Sequence, residues 1–128
     1  MAAYPKVRCA AGNVLAAGLD TTGTVIVPGY ADRTITVVGG WMRALGGTVT
    51  TATSVDIGDT SGTNEVMVGT AANMTANTIL REGVTGMTCT KLNTALTKGD
   101  GLVIKAIGAA VTVASSVDYC VYYVVEGG

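Results

Sequence analysis

Runs of β-branched residues, each cut off by a glycine or a glycine-containing turn within about ten residues, leave this chain no room for a long helix. Thr24-Val25-Ile26-Val27 stops at Pro28-Gly29, Thr34-Ile35-Thr36-Val37-Val38 at Gly39-Gly40, and Trp41 to Leu45 at Gly46-Gly47. Valine, isoleucine and threonine suit a pleated, half-buried surface, and their branched Cβ restricts χ1 in a helix. Glycine supplies the backbone angles that tight turns require. The spacing predicts about eight short strands. That pattern implies an all-β chain: a single-domain β-sandwich or jelly roll, with a barrel as the alternative.

The rest of the sequence extends the pattern. Thr48 to Ile57 alternates, Glu65 to Gly69 is a short apolar stretch, and Ala71 to Leu80 fits a loop or a helical turn. Val84 to Thr90 alternates again, and Leu102 to Ile107 and Val111 to Ala114 flank Gly108. Val117 to Glu126 is the most apolar run, with Tyr119, Val121, Tyr123 and Val125 on one face and Cys120, Tyr122 and Val124 on the other. A strand apolar on both faces belongs in the middle of a sheet or beneath a neighbouring subunit. Gly39-Gly40, lying between two strand-like runs, predicts a bulge or a bend. The first twenty residues read differently. Tyr4-Pro5 is extended, and Gly12 opposes a helix over Val7 to Ala17. The expected organisation is an extended N-terminal arm over 1–20 and a sandwich domain over 21–128. The opening superficially mimics a secretory signal, but Gly12, Asn13 and Gly18 break it, so it reads as mature protein.

Chemistry is restricted by what is missing. The 128 residues include no histidine, which rules out serine–histidine triads, cysteine–histidine dyads and histidine metal sites. No cofactor is expected. Charged residues make up 13% of the chain, its net charge is −1, and no basic run exists, which argues against tracking a nucleic-acid backbone. No apolar run approaches the roughly eighteen residues of a membrane-crossing helix. Cys9, Cys89 and Cys120 have no metal-like spacing and read as free thiols of a reducing cytosol, Cys89 and Cys120 as small core residues. Asp56 and Asp59, with Asn64 and Glu65, offer the oxygen ligands of a calcium loop. The spacing matches no known one, and Asp56 ending a strand while Asp59 caps a turn is the preferred reading. Lys98-Gly99-Asp100-Gly101 lacks the spacing and the following helix of a phosphate cradle and reads as a hairpin turn. Ser115-Ser116 with Lys105 is a weak candidate for a serine–lysine pair, and paired carboxylates leave a hydrolase as a minor alternative.

With 48% hydrophobic residues and a mean hydropathy of +0.46, few polar groups remain to cover the surface, which favours contact with other chains. Trp41, Met42 and Arg43 form a candidate partner anchor, because these three residue types are enriched at interfaces. A core tryptophan at the bend is the alternative. Tyr4, Lys6, Arg8, Val14 and Leu15 in the arm are further candidates, on the premise that an apolar arm folds onto a neighbour.

The stretch Ile35 to Gly69 contains Thr48-Val49-Thr50 and then Ser54-Val55-Asp56-Ile57-Gly58-Asp59 before a polar turn. It resembles the V-D-V-G-D segment of small decoration or cement proteins from the heads of tailed bacteriophages. Leu96-Thr97-Lys98-Gly99-Asp100-Gly101-Leu102-Val103-Ile104 and the apolar closing strand are also similar to the end of that family. The resemblance covers about two-thirds of the chain. It implies a virion structural protein with no catalytic residues, assembled in the host cytoplasm and located on the capsid surface. Its implied partners are itself, as a homotrimer, and the major capsid protein, with no nucleic acid and no membrane. Other virion roles (tail tube, head fibre base, connector) and a carbohydrate-binding β-sandwich are the competing expectations.

Overall fold

A computed structural model of the chain describes residues 6–126. Its elements are β1 (Arg8–Leu15), β2 (Thr24–Val27), β3 (Ile35–Leu45), β4 (Val49–Thr50), β5 (Ser54–Asp59), β6 (Glu65–Thr70), β7 (Ile79–Arg81), β8 (Met87–Thr88), β9 (Leu102–Ile107), β10 (Thr112–Val113) and β11 (Ser116–Val125). The only helical pieces among the described residues are two 3₁₀ turns, Ala16–Gly18 and Ala71–Asn73. The fold is an all-β sandwich. One sheet has four strands in the order β1-β11-β3-β7, the other five in the order β2-β9-β5-β6-β8, and β4 and β10 pair as a small ribbon. All named pairs are antiparallel.

The core lies between the two sheets. Ile35, Val37, Met42, Val117 and Val121 of the four-stranded sheet are buried in one cluster with Val55, Ile57, Met67 and Ile104 of the other. Strand β11 is central, bonded to β1 on one side and β3 on the other, as its two apolar faces require. The Gly39-Gly40 pair lies inside one continuous strand, β3, beside a bulge. Tyr122 faces Gly39 and Tyr123 faces Val37, so Val38 is the extra residue. A side chain at position 40 would put its Cβ 2.5 Å from the Cys120 carbonyl oxygen and 3.1 Å from Met67 Sδ. Glycine leaves room there for the neighbouring strand β11 and for Met67 of the opposite sheet.

Two expectations are corrected. The chain from Arg8 to Leu15 is not an arm but the edge strand of the four-stranded sheet, in register with Tyr123 to Ser116 of β11. Leu19, expected in the arm, is fully buried in the core, so a boundary at residue 20 would cut through the sandwich. The cause is pairing. β11 would otherwise present a bare edge, and the small residues Ala10 and Gly12 fit against Val121 and Tyr119, where a Cβ on Gly12 would meet the Tyr119 hydroxyl at 2.9 Å. The alternating run Thr48 to Ile57 also splits in two. Thr51 takes a φ of +72°, and the chain leaves the ribbon strand β4 to enter β5 in the five-stranded sheet.

Candidate interaction face

Alternation along the four-stranded sheet sends every second side chain away from the core. On β3 these are Trp41 and Arg43. Register sets them opposite Cys120 and Asp118 of β11 and beside Arg81 and Ile79 of β7. On β1 they are Cys9, Ala11, Asn13 and Leu15, set against Tyr122, Cys120, Asp118 and Ser116.

The middle of this face is a bonded polar group. Arg43 Nη2 donates to Asp118 Oδ2 at 2.7 Å. Asn13 Nδ2 donates to Asp118 Oδ1 at 2.8 Å and to Ser116 Oγ at 2.9 Å. The bonds from Arg43 and Asn13 hold the Asp118 carboxyl below the ordinary carboxylate range. The Arg43 guanidinium also lies 5.8 Å from the Trp41 ring centroid, a cation–π distance. Its Nε is buried with no hydrogen-bond partner among the described residues. Apolar side chains rim this group: Leu15 is 67% exposed, Ile79 44% and Tyr122 41%. All four strands of the sheet thus contribute to a polar centre with an apolar rim.

The candidates chosen from sequence divide accordingly. Trp41, Arg43 and Leu15 lie on this face. Met42 and Val14 do not: Met42 is fully buried and Val14 nearly so, both in the core cluster, because they alternate with the outward residues on their strands. They are corrected from interface to core. Arg8 Nη1 donates to the Tyr30 hydroxyl at 2.9 Å and its guanidinium lies over that ring, so it ties β1 to the loop after β2. Lys6 is exposed ahead of β1, and Tyr4 lies outside the described residues. Sequence reading missed Asn13, Asp118, Ile79 and Tyr122 as members of the face. The available signal was Asp118, a charge set near the start of the most apolar run, which carries no other before Glu126 at its end.

The acidic group forms no ion cradle. Asp59 accepts from the backbone N–H of Thr63 and Asn64, from the Thr63 hydroxyl and from Asn64 Nδ2. Burial raises the Asp59 carboxyl, but these four bonds outweigh it and the net shift is downward. It is a turn cap, as expected. Asp56 differs from expectation in sitting mid-strand, only 3% exposed. Ser54 Oγ donates to Asp56 Oδ1 at 2.6 Å, and Lys105, opposite Asp56 in register, reaches Glu65 Oε1 at 3.7 Å. Burial, reinforced by the neighbouring Glu65 carboxylate, raises Asp56 to about 6 against the pull of Ser54 and Lys105. A protonated Asp56 can donate to the Glu65 carboxylate, whose Oε2 is buried without a hydrogen-bond partner among the described residues. Among the described residues, no three His, Cys, Asp or Glu side chains are grouped to hold a metal ion. Lys105 lies on β9 and Ser116 on β11, in different sheets, and Ser116 is bonded to Asn13, so no serine–lysine pair forms between them. A cavity of about 350 Å³ is lined by Asp32, Arg33, Thr34, Lys98 and Glu126 and includes none of these groups. No helix is long and apolar enough to cross a membrane among the described residues.

No family model, curated protein or solved structure matches the chain.

Proposed function

We propose that this chain is a structural binding module, a decoration protein that coats the head of a tailed phage and uses the outer face of its four-stranded sheet for contact. The observation that carries this reading is the make-up of that face. A bonded Arg43–Asp118–Asn13 centre is rimmed by exposed Leu15, Ile79 and Tyr122. A rigid sheet face with aromatic and arginine groups at its centre has the composition of a protein contact, and being preformed it loses little entropy on docking. The V-D-I-G-D resemblance adds the phage head as the setting, and the partners are sister copies and the major capsid protein. On a shell, many equivalent copies make modest contacts strong by avidity. They stabilise whichever lattice state they bind.

The test has two arms. The native mass of the purified chain reads self-association, with a trimer as the expected result. Co-sedimentation with emptied phage heads from its source reads shell binding, which Leu15→Glu with Tyr122→Glu should reduce at least tenfold while the circular dichroism of the free chain is unchanged. A chain that never binds heads overturns the phage assignment. A ring of six or twelve copies would assign it to a tube or connector instead.

A further inference from the structure

On the same sheet, Cys9 Sγ and Cys120 Sγ lie 3.3 Å apart, closer than two unbonded sulfurs normally approach. Register explains the contact. Cys9 faces Tyr122 and Cys120 faces Ala11, so the two cysteines sit diagonally, two positions offset, on the same face of one antiparallel pair. Both are free thiols, Cys9 exposed and Cys120 buried. Diagonal neighbours are ordinarily farther apart at Cα than directly opposed ones. A bond between them therefore needs a small slide of one strand. β1 is where that slide costs least: it is an edge strand whose backbone ladder runs to β11 alone, so the shift disturbs one strand pair and the Arg8–Tyr30 contact. Cys89 is remote from the pair in the fold, since its neighbouring strand β8 lies at the far edge of the other sheet.

We propose that Cys9 and Cys120 are a modification site, closing into an intramolecular disulfide when the chain meets a small-molecule disulfide such as oxidised glutathione. Exposed Cys9, as thiolate, attacks one sulfur of the glutathione disulfide and expels one glutathione thiolate. Cys120 then gives up its proton and attacks Cys9 Sγ, which expels the second. The protein loses two electrons and two protons, and both appear on two molecules of reduced glutathione. The burial of Cys120 gives the order: the accessible sulfur is captured first and the sheltered one resolves it. The hydrogen bond between the two sulfurs raises the Cys9 thiol above its ordinary value. Attack is therefore slower at neutral pH than for a free cysteine, and mildly alkaline buffer speeds it. The bond would close a loop spanning 111 positions and fasten the edge strand, without needing any particular assembly partner.

The experiment uses the full chain, reduced and then held in glutathione buffers of graded oxidation at mildly alkaline pH, and read by intact mass and peptide mapping. The expected product is a monomer lighter by two hydrogens with a Cys9–Cys120 cross-linked peptide, formed equally in Cys89→Ser and absent from Cys9→Ser. Its thermal midpoint should rise by on the order of 10 °C, the effect of closing so long a loop. Cys9 is exposed, so its serine variant keeps the fold. Alkylating Cys9 in the wild-type chain gives a second block that needs no mutation. A stable mixed disulfide with glutathione on Cys9, a dimer bridged through Cys9, or a bond that includes Cys89 would each overturn the assignment.

Discussion

Asp56 is where one residue decides a property of the whole chain. Its carboxyl, ordinarily at 3.8, is raised to about 6 by burial and by Glu65, so the folded chain keeps a proton that the unfolded chain releases. Stability is therefore highest from this group below 3.8, falls as pH rises between 3.8 and 6, and stays reduced above that. A shift of this size corresponds to roughly 3 kcal/mol at neutral pH. Asp59 and Asp118 have the opposite sign. Their carboxyls are held below the ordinary value, so what they add is present above it and is lost as pH falls through their folded values. Wild-type stability should therefore peak on the acid side of pH 6. Asp56→Asn keeps a neutral side chain that can accept from Ser54 and donate to Glu65, so it should stabilise the fold at pH 7 by about 1–3 kcal/mol and flatten the slope between pH 4 and 6. Urea unfolding at a series of pH values measures both. A variant less stable than wild type at pH 7 would show that Asp56 is ionised against Lys105. None of this was legible in the sequence. The run Ser54 to Asp59 reads as an ordinary strand and turn, and it takes the register against β9 to bring Lys105, and that against β6 to bring Glu65, to the buried carboxyl.

Between elements, the informative cases are β1 and β3. The Gly39-Gly40 signal was legible as a bulge because glycine pairs in strands have few other uses. What it could not reveal was the reason, which is the closeness of the Cys120 carbonyl and Met67. Gly40→Ala should cost about 1–3 kcal/mol in thermal or urea unfolding, because the obstacle at 2.5 Å is backbone and cannot rotate away. Gly62→Ala makes a useful comparison: a Cβ there meets nothing within 4 Å, so its cost is confined to the backbone strain of its φ of +77°. For β1, sequence reading failed because the run Arg8-Cys9-Ala10-Ala11-Gly12-Asn13 has little strand propensity of its own. It is a strand because β11 offers an edge and Leu19 anchors its far end in the core. Removing residues 1–15 should leave the most apolar strand of the chain with an unpaired edge and increase aggregation. Light scattering at equal concentration measures this, and a truncated chain that remains as dispersed as the full one would mean that β11 does not need the cover.

For the molecule as a whole, the composition made the sandwich legible but not its wiring. Of the consecutive strands, only β5 and β6 pair with each other among the described residues; β6–β8 skips one strand, and the other bonded pairs join strands four or more apart in the chain. Short strands with frequent turns suggest hairpins, yet most turns here carry the chain from one sheet to the other, a choice made by where apolar faces meet. Such wiring has a kinetic consequence. Non-local pairing must meet loop-closure entropy before it gains contacts, so folding should fall in the range of about milliseconds to seconds. The β5–β6 hairpin is the cheapest element to form first, and Asp59 closes its turn with four hydrogen bonds. Asp59→Ala should then act chiefly by slowing refolding, with a φ-value above about 0.5. Gly40→Ala sits where β3, β11 and the opposite sheet meet, pairings that span most of the chain, and should act chiefly by speeding unfolding. Trp41, set opposite Cys120 in the β3–β11 pair, supplies a fluorescence signal for that late step in stopped-flow traces. If both substitutions fell on the unfolding limb, the hairpin would not be the nucleus, and the long-range β3–β11 pair would have to form before any local structure.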